Sequence, residues 1–245
     1  MDNVAYVGLS RQMTLRRELD VIANNIANAD TAGFKLEQLT VESEARRLPA
    51  TDGGGSTVAF ALDSGVARDF SQGALKPTGA PFDFAIEGEG FFAVAAPGGE
   101  RYTRDGRFAL DEQGRLVNAS GHPVQGSGGG DLVLDPARGP ASIGADGTVS
   151  QAGVTVGKLG VVRFAAAAAL AKDGDGLYRN VSNLQPEAAP EARVRQGMME
   201  ASNVQPVREI TRLIEVSRAY ETIARIVNQA GDLSSRSIER LGRVG

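Results

Sequence analysis

Apolar side chains recur every three or four positions in the last part of the chain, and this spacing predicts one long amphipathic helix from Pro206 to about Leu241. With an advance of about 100° per residue, the side chains that share one face are Ile210, Leu213, Val216, Ser217, Tyr220, Ile223, Ala224, Val227 and Ala230. Arg208, Arg212 and Glu215 fall on the opposite face. One side of this helix must therefore be kept out of water.

Pro206 marks the start of this helix, because the missing N–H of a proline has no partner to lose in the first turn. Ser202 and Asn203, just before it, are residue types that cap helices well. A helix of about 35 residues would be about 50 Å long, which exceeds the diameter of most small domains. Much of its apolar face must therefore be covered by another element or another molecule.

A second amphipathic helix is predicted for residues 1 to about 28. Its narrow apolar stripe is formed by Val4, Gly8, Leu15, Leu19, Ile22 and Ile26. The polar run from Asn24 to Gly33 then ends the helix, because Asn and Asp side chains bond their own backbone and glycine accepts a positive φ.

The two apolar stripes predict that the helices pair as an antiparallel or crossed, coiled-coil-like domain. A two-helix seam leaves the outer flanks of both stripes wet. Ile214 and Ile226 lie off the main arc of the second helix, and we expect them to remain exposed for other copies or partners.

Between the helices, the chain has the glycine, proline and turn content that is typical of a β-rich domain. Most of the 31 glycines and all but one of the ten prolines lie between residues 48 and 190. Short apolar runs alternate there with Asp-Gly and Gln-Gly turns. Many short strands at such spacing favour a barrel or sandwich over βαβ units. The sequence thus predicts an α+β fold with paired terminal helices and a central all-β, barrel- or sandwich-like domain.

The predicted helices, strands and linkers divide the chain into four parts. In chain order they are a terminal helical assembly domain (1–33 and 200–245), a connecting segment (34–75), a β-rich outer domain (76–190) and a return linker (191–199). Within the connecting segment, residues 34–48 fit a short helix or an extended segment equally well. Residues 49–56 have the composition of a linker, with three consecutive glycines.

Charge and composition exclude several classes of function. The 26 basic side chains against 30 acidic ones leave a net charge of −4, which provides no basic field for nucleic acid. No run of about 18 apolar residues is present, so we expect no membrane insertion. The first residues lack the basic and apolar regions of a cleaved signal peptide. The absence of cysteine excludes disulfides and thiolate metal sites.

The sequence offers little that could carry catalysis. His122 is the one histidine, and no metal-ligand spacing accompanies it. Residues 88–90 lack the third glycine of a dinucleotide loop, and residues 173–176 lack the glutamate of a calcium loop. We therefore predict no catalytic, cofactor-binding or metal-binding residue and no cofactor. Paired carboxylates in the turns keep a carbohydrate-active enzyme open as an alternative.

Both ends of the chain resemble one known family. Residues 23–35 closely resemble the amino-terminal signature of the bacterial flagellar rod and hook proteins, A-N-N-I-A-N-x-N-T-x-G-[FY]-K. Asp30 replaces the usual asparagine, and Ala32 replaces the frequent proline. Near the other end, the residues that resemble the family's carboxy-terminal motif are Glu200-Ala201-Ser202-Asn203-Val204, Glu209, Leu213-Ile214 and Arg218-Ala219-Tyr220-Glu221.

Three stretches in the middle, residues 72–79, 83–92 and 102–108, are also similar to this family. The resemblance therefore covers nearly the whole chain, with its motifs in the family's order. Within the family, the length and the opening residues 6–13 look most like the proximal-rod members. Distal-rod members are the nearest alternative.

The resemblance implies a structural subunit of the axial rod rather than an enzyme. In such proteins, the terminal helices pack with other rod proteins and with further copies into a helical tube, and the β domain lies outside. The implied location is the rod of the flagellar basal body in the periplasmic space. The implied route is type III export without a cleaved signal peptide, with the flagellar export apparatus as a partner.

The apolar residues of both helices form the predicted assembly interface. They are Leu15, Leu19, Ile22, Ile26, Ile210, Leu213, Ile214, Val216, Tyr220, Ile223, Ile226 and Val227. Two alternatives to a rod subunit stay open: a peptidoglycan-active enzyme, and a free adaptor whose helices form a small closed oligomer.

Overall fold

The computed structural model describes residues 2–47, 57–166, 170–182 and 184–242. It has a long helix near each end, α1 (Asp2–Ala27) and α2 (Pro206–Gly242), and a short 3₁₀ helix at Pro136–Arg138. The strands are, in chain order, β1 Glu37–Arg47, β2 Thr57–Arg68, β3 Leu75–Pro77, β4 Phe84–Glu87, β5 Phe91–Ala96, β6 Gly99–Thr103, β7 Ala109–Leu110, β8 Leu116–Val117, β9 Ala141–Ile143, β10 Thr148–Gln151, β11 Val154–Lys158, β12 Val161–Arg163, β13 Leu170–Lys172, β14 Leu177–Asn180, β15 Glu187–Ala188, β16 Arg193–Gln196 and β17 Met198–Glu200. The predicted α+β class is confirmed.

The chain forms two compact units. The helical unit contains α1, α2 and the segment of β1 and β2, between Glu37 and Asp69. The β unit contains residues 28–36 and 70–204. Among the described helices, none has the length and apolar character needed to cross a membrane.

Within the helical unit, α1 and α2 run antiparallel, as three contacts along the pair demonstrate. Near the start of α1, Gly8 faces Val227, and further along α1 Glu18 accepts a hydrogen bond from Arg212 at 2.9 Å. At the end of α1, Asn25 meets Glu209. As the α1 position rises, the α2 position falls, which confirms the predicted pairing of the terminal helices.

The segment 34–75, predicted as a connection, is largely an antiparallel hairpin of β1 and β2. The register runs from Glu37 opposite Arg68 to Arg47 opposite Thr57. The extended alternative for residues 34–48 is thus the observed one over β1, because the strand has a hydrogen-bonding partner that local periodicity does not reveal. The predicted linker at 49–56 lies outside the described residues.

The largest sheet of the β unit has six antiparallel strands in the order β13-β14-β6-β5-β12-β15, and a second sheet has the order β11-β10-β9. β5 lies inside the larger sheet, and its side chains alternate between two apolar cores. Phe92 and Val94 belong to one core, and Phe91 and Ala93 belong to the other. Burial on both faces explains why this strand is a continuous apolar run.

The larger core gathers side chains from most of the β unit. Its buried members are Phe84, Ile86, Phe92, Val94, Phe108, Leu116, Val124, Leu132, Leu134, Ala141, Val149, Leu159, Leu177 and Val194. The smaller core is mostly aromatic, with edge-to-face contacts such as Tyr102 on Phe164, whose ring centroids lie 4.8 Å apart. Burial and a hydrogen bond to Glu100 raise the pKa of Tyr102, so its hydroxyl stays protonated.

Residues 191–199, predicted as a return linker, instead contribute β16 and most of β17. β16 pairs with β4, and β17 pairs with β3. The pairing buries Val194 in the larger core and joins Arg195 to Glu87 at 2.7 Å. A single apolar position between charged ones is too weak a local signal to predict such a strand.

Candidate assembly interface

The apolar faces of α1 and α2 meet in a core of their own. Leu15, Ile22 and Val216 are buried at its centre. The partly buried side chains packed around them are Leu19, Ile26, Leu213, Ala219, Tyr220 and Ile223. Eight of the twelve residues predicted for the assembly interface therefore pack within the chain's own helix pair.

Three other predicted interface residues lie outside this core. Ile214 and Ile226 are 48% and 43% exposed, as the periodicity predicted. Ile210 is 46% exposed, although its position on the helical wheel predicted a packed side chain. The prediction fails because Glu209 occupies the inward position at that turn, and Ile210 lies about 100° further around the helix.

The described parts of the two helices expose five more large apolar side chains that were not predicted to be exposed. On α1 they are Tyr6, Leu9 and Met13, the last 67% exposed, and on α2 they are Val207, 77% exposed, and Leu233, 58% exposed. For the first four, the spacing was a usable signal, because three-then-four steps place residues on one helical face.

Six of the exposed side chains form two apolar strips with the same spacing. The α1 strip consists of Tyr6, Leu9 and Met13, and the α2 strip consists of Val207, Ile210 and Ile214. Each strip lies in the first half of its helix. Because the helices are antiparallel, the strips lie towards opposite ends of the section in which the two helices pair.

At the α1 end of the pair, Gly8 lets the two helices approach closely. A Cβ atom at position 8 would lie 2.5 Å from Cγ2 of Val227. Val227 is the one remaining residue of the twelve predicted for the assembly interface. A glycine in this helix costs about 1 kcal/mol relative to alanine. The close approach to Val227 is the physical reason for a glycine at this position.

The effect of Gly8→Ala on stability should therefore have opposite signs with valine and with alanine at position 227. In the natural chain, we expect Gly8→Ala to lower the stability of the helix pair by about 1 kcal/mol, because the methyl group overlaps Val227. In a Val227→Ala background, the same change should raise stability by up to about 1 kcal/mol through helix propensity. Urea unfolding followed by far-UV circular dichroism measures the cycle, and equal effects in both backgrounds would contradict the contact.

At the other end of the pair, a buried polar junction fixes the register. The side-chain amide of Asn25 donates hydrogen bonds to the Glu37 carbonyl at 2.7 Å and to the Glu209 carboxylate at 3.0 Å. Its oxygen accepts from the Glu37 N–H at 3.0 Å. Asn25 thus joins α1, α2 and β1 through one side chain that is fully out of solvent.

The β unit contains a buried ionic cluster that involves three motif regions. The ammonium group of Lys35 lies 2.6 Å from Oε1 of Glu200, and both side chains are fully buried. The same oxygen accepts the Gly73 N–H at 2.8 Å. Lys35 also donates to the Ser71 carbonyl at 2.7 Å.

Arg104 completes this cluster from the other side of the carboxylate. Its guanidinium donates to Oε2 of Glu200 at 3.2 Å and to the Gly88 carbonyl at 2.7 Å, and it lies over the ring of Phe91. Burial lowers the pKa of Arg104, and the adjacent Glu200 opposes that shift. Because arginine remains protonated in proteins, the Glu200 carboxylate lies between two cations, and the Glu89 carboxylate also favours the charged form of Arg104.

The sequence reading missed the roles of Lys35, Arg104 and Glu200. Charged residues are buried rarely unless they are paired, so each one alone is expected at the surface. The available signal was that every member of the cluster lies in a stretch that resembles the rod and hook family. The predicted caps of α2 also serve elsewhere: the side-chain oxygen of Asn203 accepts the Leu36 N–H at 2.8 Å, and the carbonyl of Gln205 accepts the N–H groups of Arg208 and Glu209.

Three family models match this chain in separate places. The match to "Flagella basal body rod protein" covers residues 6–35, and the match to "Flagellar hook protein FlgE/F/G D1 domain" covers residues 85–151. The match to "Flagellar basal body rod FlgEFG protein C-terminal" covers residues 195–240. The first and last of these contain α1 and α2 for most of their length.

Curated relatives are similar over the full length. The chain is 54% identical to the flagellar basal-body rod protein FlgF of Caulobacter vibrioides, with all of both chains covered. It is 39% identical to FlgF of Mesorhizobium japonicum, with 99% of each chain covered. Similarity to the flagellar basal-body rod protein FlgG of Bacillus subtilis is lower, 32% identity over 93% of this chain and 95% of the relative.

Proposed function

This chain belongs to the flagellar basal-body rod protein family, and we propose that it is a structural subunit of that rod which joins its neighbours through the exposed strips of α1 and α2. The single observation that carries the proposal is the exposure of both strips. Each offers three large apolar side chains at the spacing of one helical face. A soluble monomer gains nothing from such strips, whereas an assembly buries them.

The partners in this proposal are other rod proteins and further copies of this chain. The subunit lies in the periplasmic part of the basal body and arrives there as an unfolded chain through the flagellar export apparatus. Its closer similarity to the FlgF proteins of Caulobacter vibrioides and Mesorhizobium japonicum than to the FlgG of Bacillus subtilis supports a position in the proximal rod. The role is mechanical, with no substrate.

One substitution separates folding from assembly. Ile214→Asp places a charge on the α2 strip, where the side chain is already half exposed, so we expect the stability of the isolated subunit to change by less than about 0.5 kcal/mol. In a strain that lacks this chain, the variant should fail to restore swimming and complete basal bodies. A charge in an apolar contact would be buried without a partner there.

Asn228→Asp is the matched control, because it adds the same charge at an exposed polar position of α2. We expect this variant to restore swimming. If Ile214→Asp restores swimming as well as the natural chain, the α2 strip is not an assembly surface. If Ile214→Asp unfolds the helix pair of the isolated subunit, Ile214 stabilises the fold and the proposal is equally wrong.

A further inference from the structure

The exposed strips of α1 and α2 are alike in length and spacing. Each strip extends over about two helical turns and presents large apolar side chains at steps of three and then four residues. Their side chains differ, because Tyr6 and Met13 are long, whereas those of the α2 strip are short, β-branched and stiff. Long side chains on one helix fill the gaps between branched side chains on another, as in coiled coils. The two strips are therefore complementary.

Within one chain, the two strips cannot meet. On a helical wheel, the centre of each strip lies about 145° from the centre of the face that packs in the helix pair. The strips are also far apart along the helices. Glu209, beside Ile210, meets Asn25 of the same chain. Leu9 lies about 16 residues before Asn25, which is about 24 Å along α1. A contact between the strips therefore requires two copies of the chain.

The charges that follow each strip favour an antiparallel contact. On α1, Asp20 lies one heptad after Met13, and on α2, Glu221 lies one heptad after Ile214. Both carboxylates are exposed, and each continues the line of its strip. In a parallel contact with the strips in register, Asp20 and Glu221 would face each other, and like charges at a contact are unfavourable. In an antiparallel contact, each carboxylate lies beyond the end of the opposite strip.

We propose that the α1 strip of one copy packs antiparallel on the α2 strip of the next copy, with Leu9 opposite Ile210. This rests on the proposed function, because it names the neighbour that covers the strips. A contact between like strips would close after two copies, whereas a contact between unlike strips leaves each copy able to bind another. In this register, the next copy is displaced by about 24 Å along the helices.

Disulfide crosslinking tests this contact, because the natural chain has no cysteine. Tyr6→Cys is combined with Ile214→Cys in one variant and with Val207→Cys in the matched control, and basal bodies isolated from cells that make either variant are oxidised. The antiparallel contact places positions 6 and 214 opposite each other, so the first variant should give at least about tenfold more crosslinked dimer than the control. Neither pair can bridge within one chain, because Gly8, just after Tyr6, faces Val227.

Three crosslinking results would overturn the proposal. An equal or larger yield of dimer from the control would exclude the antiparallel register. A comparable yield from Tyr6→Cys alone or from Ile214→Cys alone would show that like strips meet. Assembled basal bodies without crosslinked dimer would show that other rod proteins cover the strips. Each result leaves the α2 strip as an assembly surface, which the Ile214→Asp experiment tests separately.

A charge-pair rescue covers the case in which the cysteine variants do not assemble. Leu9→Lys and Ile210→Glu each place an unpaired charge in the proposed contact, and each should reduce spreading in soft agar at least about fivefold. In the double variant, the ammonium and carboxylate groups of neighbouring copies meet, so spreading should recover to at least about half of the natural extent.

The rescue cannot arise within one chain, because positions 9 and 210 are about 24 Å apart along the helix pair. A double variant that spreads no better than the single variants would overturn the pairing of the two strips. If neither single variant reduces spreading, the strips are not buried in the rod, and the proposed function is wrong as well.

Discussion

Gly106→Ala is expected to destabilise the β unit strongly. A Cβ atom at this position would lie 1.7 Å from the carbonyl oxygen of Phe84 and 3.1 Å from the ring of Phe92. The overlap is with backbone, which cannot rotate away, and Gly106 also accepts the Phe84 N–H at 2.9 Å. We expect a loss of at least about 3 kcal/mol in the free energy of unfolding, at the upper end of overpacking effects.

Gly128→Ala is the matched control for this experiment. A Cβ at Gly128 would meet no atom within 4 Å, and the residue lies in the same unit. Urea unfolding followed by near-ultraviolet circular dichroism reports the tyrosine environment, including the buried Tyr102 and Tyr178. Equal stability of the two variants would show that the strands do not approach as closely as described.

Asn25→Asp should strongly destabilise the helical unit, although the two side chains have nearly the same size. The new carboxylate would face the Glu209 carboxylate across 3.0 Å and the Glu37 carbonyl across 2.7 Å, where the amide now donates to both. Two acceptors cannot share these hydrogen bonds, and the charges repel in a buried site. We expect the free energy of unfolding to fall by about 3 kcal/mol at neutral pH.

The pH dependence of this variant has a defined sign. Acidification that protonates one of the two carboxyl groups restores a donor and removes the repulsion, so the deficit relative to the natural chain should shrink as pH falls from 7 to about 4. Asn228→Asp, an exposed change on α2, should show no such recovery. A deficit that is constant with pH would rule out the Asn25–Glu209 contact as its cause.

The helices were predictable because their signal is local. The observed bounds of α1 and α2 lie within about two residues of the predicted ones, since an apolar side chain every three or four positions repeats over many turns. The pairing of the helices followed from two complementary stripes. A helical wheel predicts the buried side chains from angle alone, and it wrongly placed Ile210 in the core. At that turn Glu209 points inward instead, because it accepts a hydrogen bond from Asn25.

The β1–β2 hairpin was less predictable because its stability comes from pairing across the chain. Leu39 and Val41 alternate with polar residues, but alternation in one strand does not identify the other strand. The register also shifts between Thr40 and Val41, opposite Gly65 with φ 125°. A bulge of this kind depends on both strands at once.

The ionic cluster was beyond prediction from local pattern. Lys35, Arg104 and Glu200 are each ordinary surface residue types, and their burial is acceptable only because they are buried together. No periodicity encodes a contact between positions so far apart. The motifs that resemble the rod family marked these residues as belonging together but did not give their contacts.

The two exposed strips also give the helical unit a direction. Towards one end of the helix pair lie Tyr6, Leu9 and Met13, which include an aromatic ring and a flexible methionine, and towards the other lie Val207, Ile210 and Ile214, which are β-branched and stiff. A contact between unlike strips of two copies leaves one strip of each kind uncovered at the outer ends. Any row of subunits joined in this way has a head and a tail, and its two ends are chemically distinguishable to whatever begins or stops its growth.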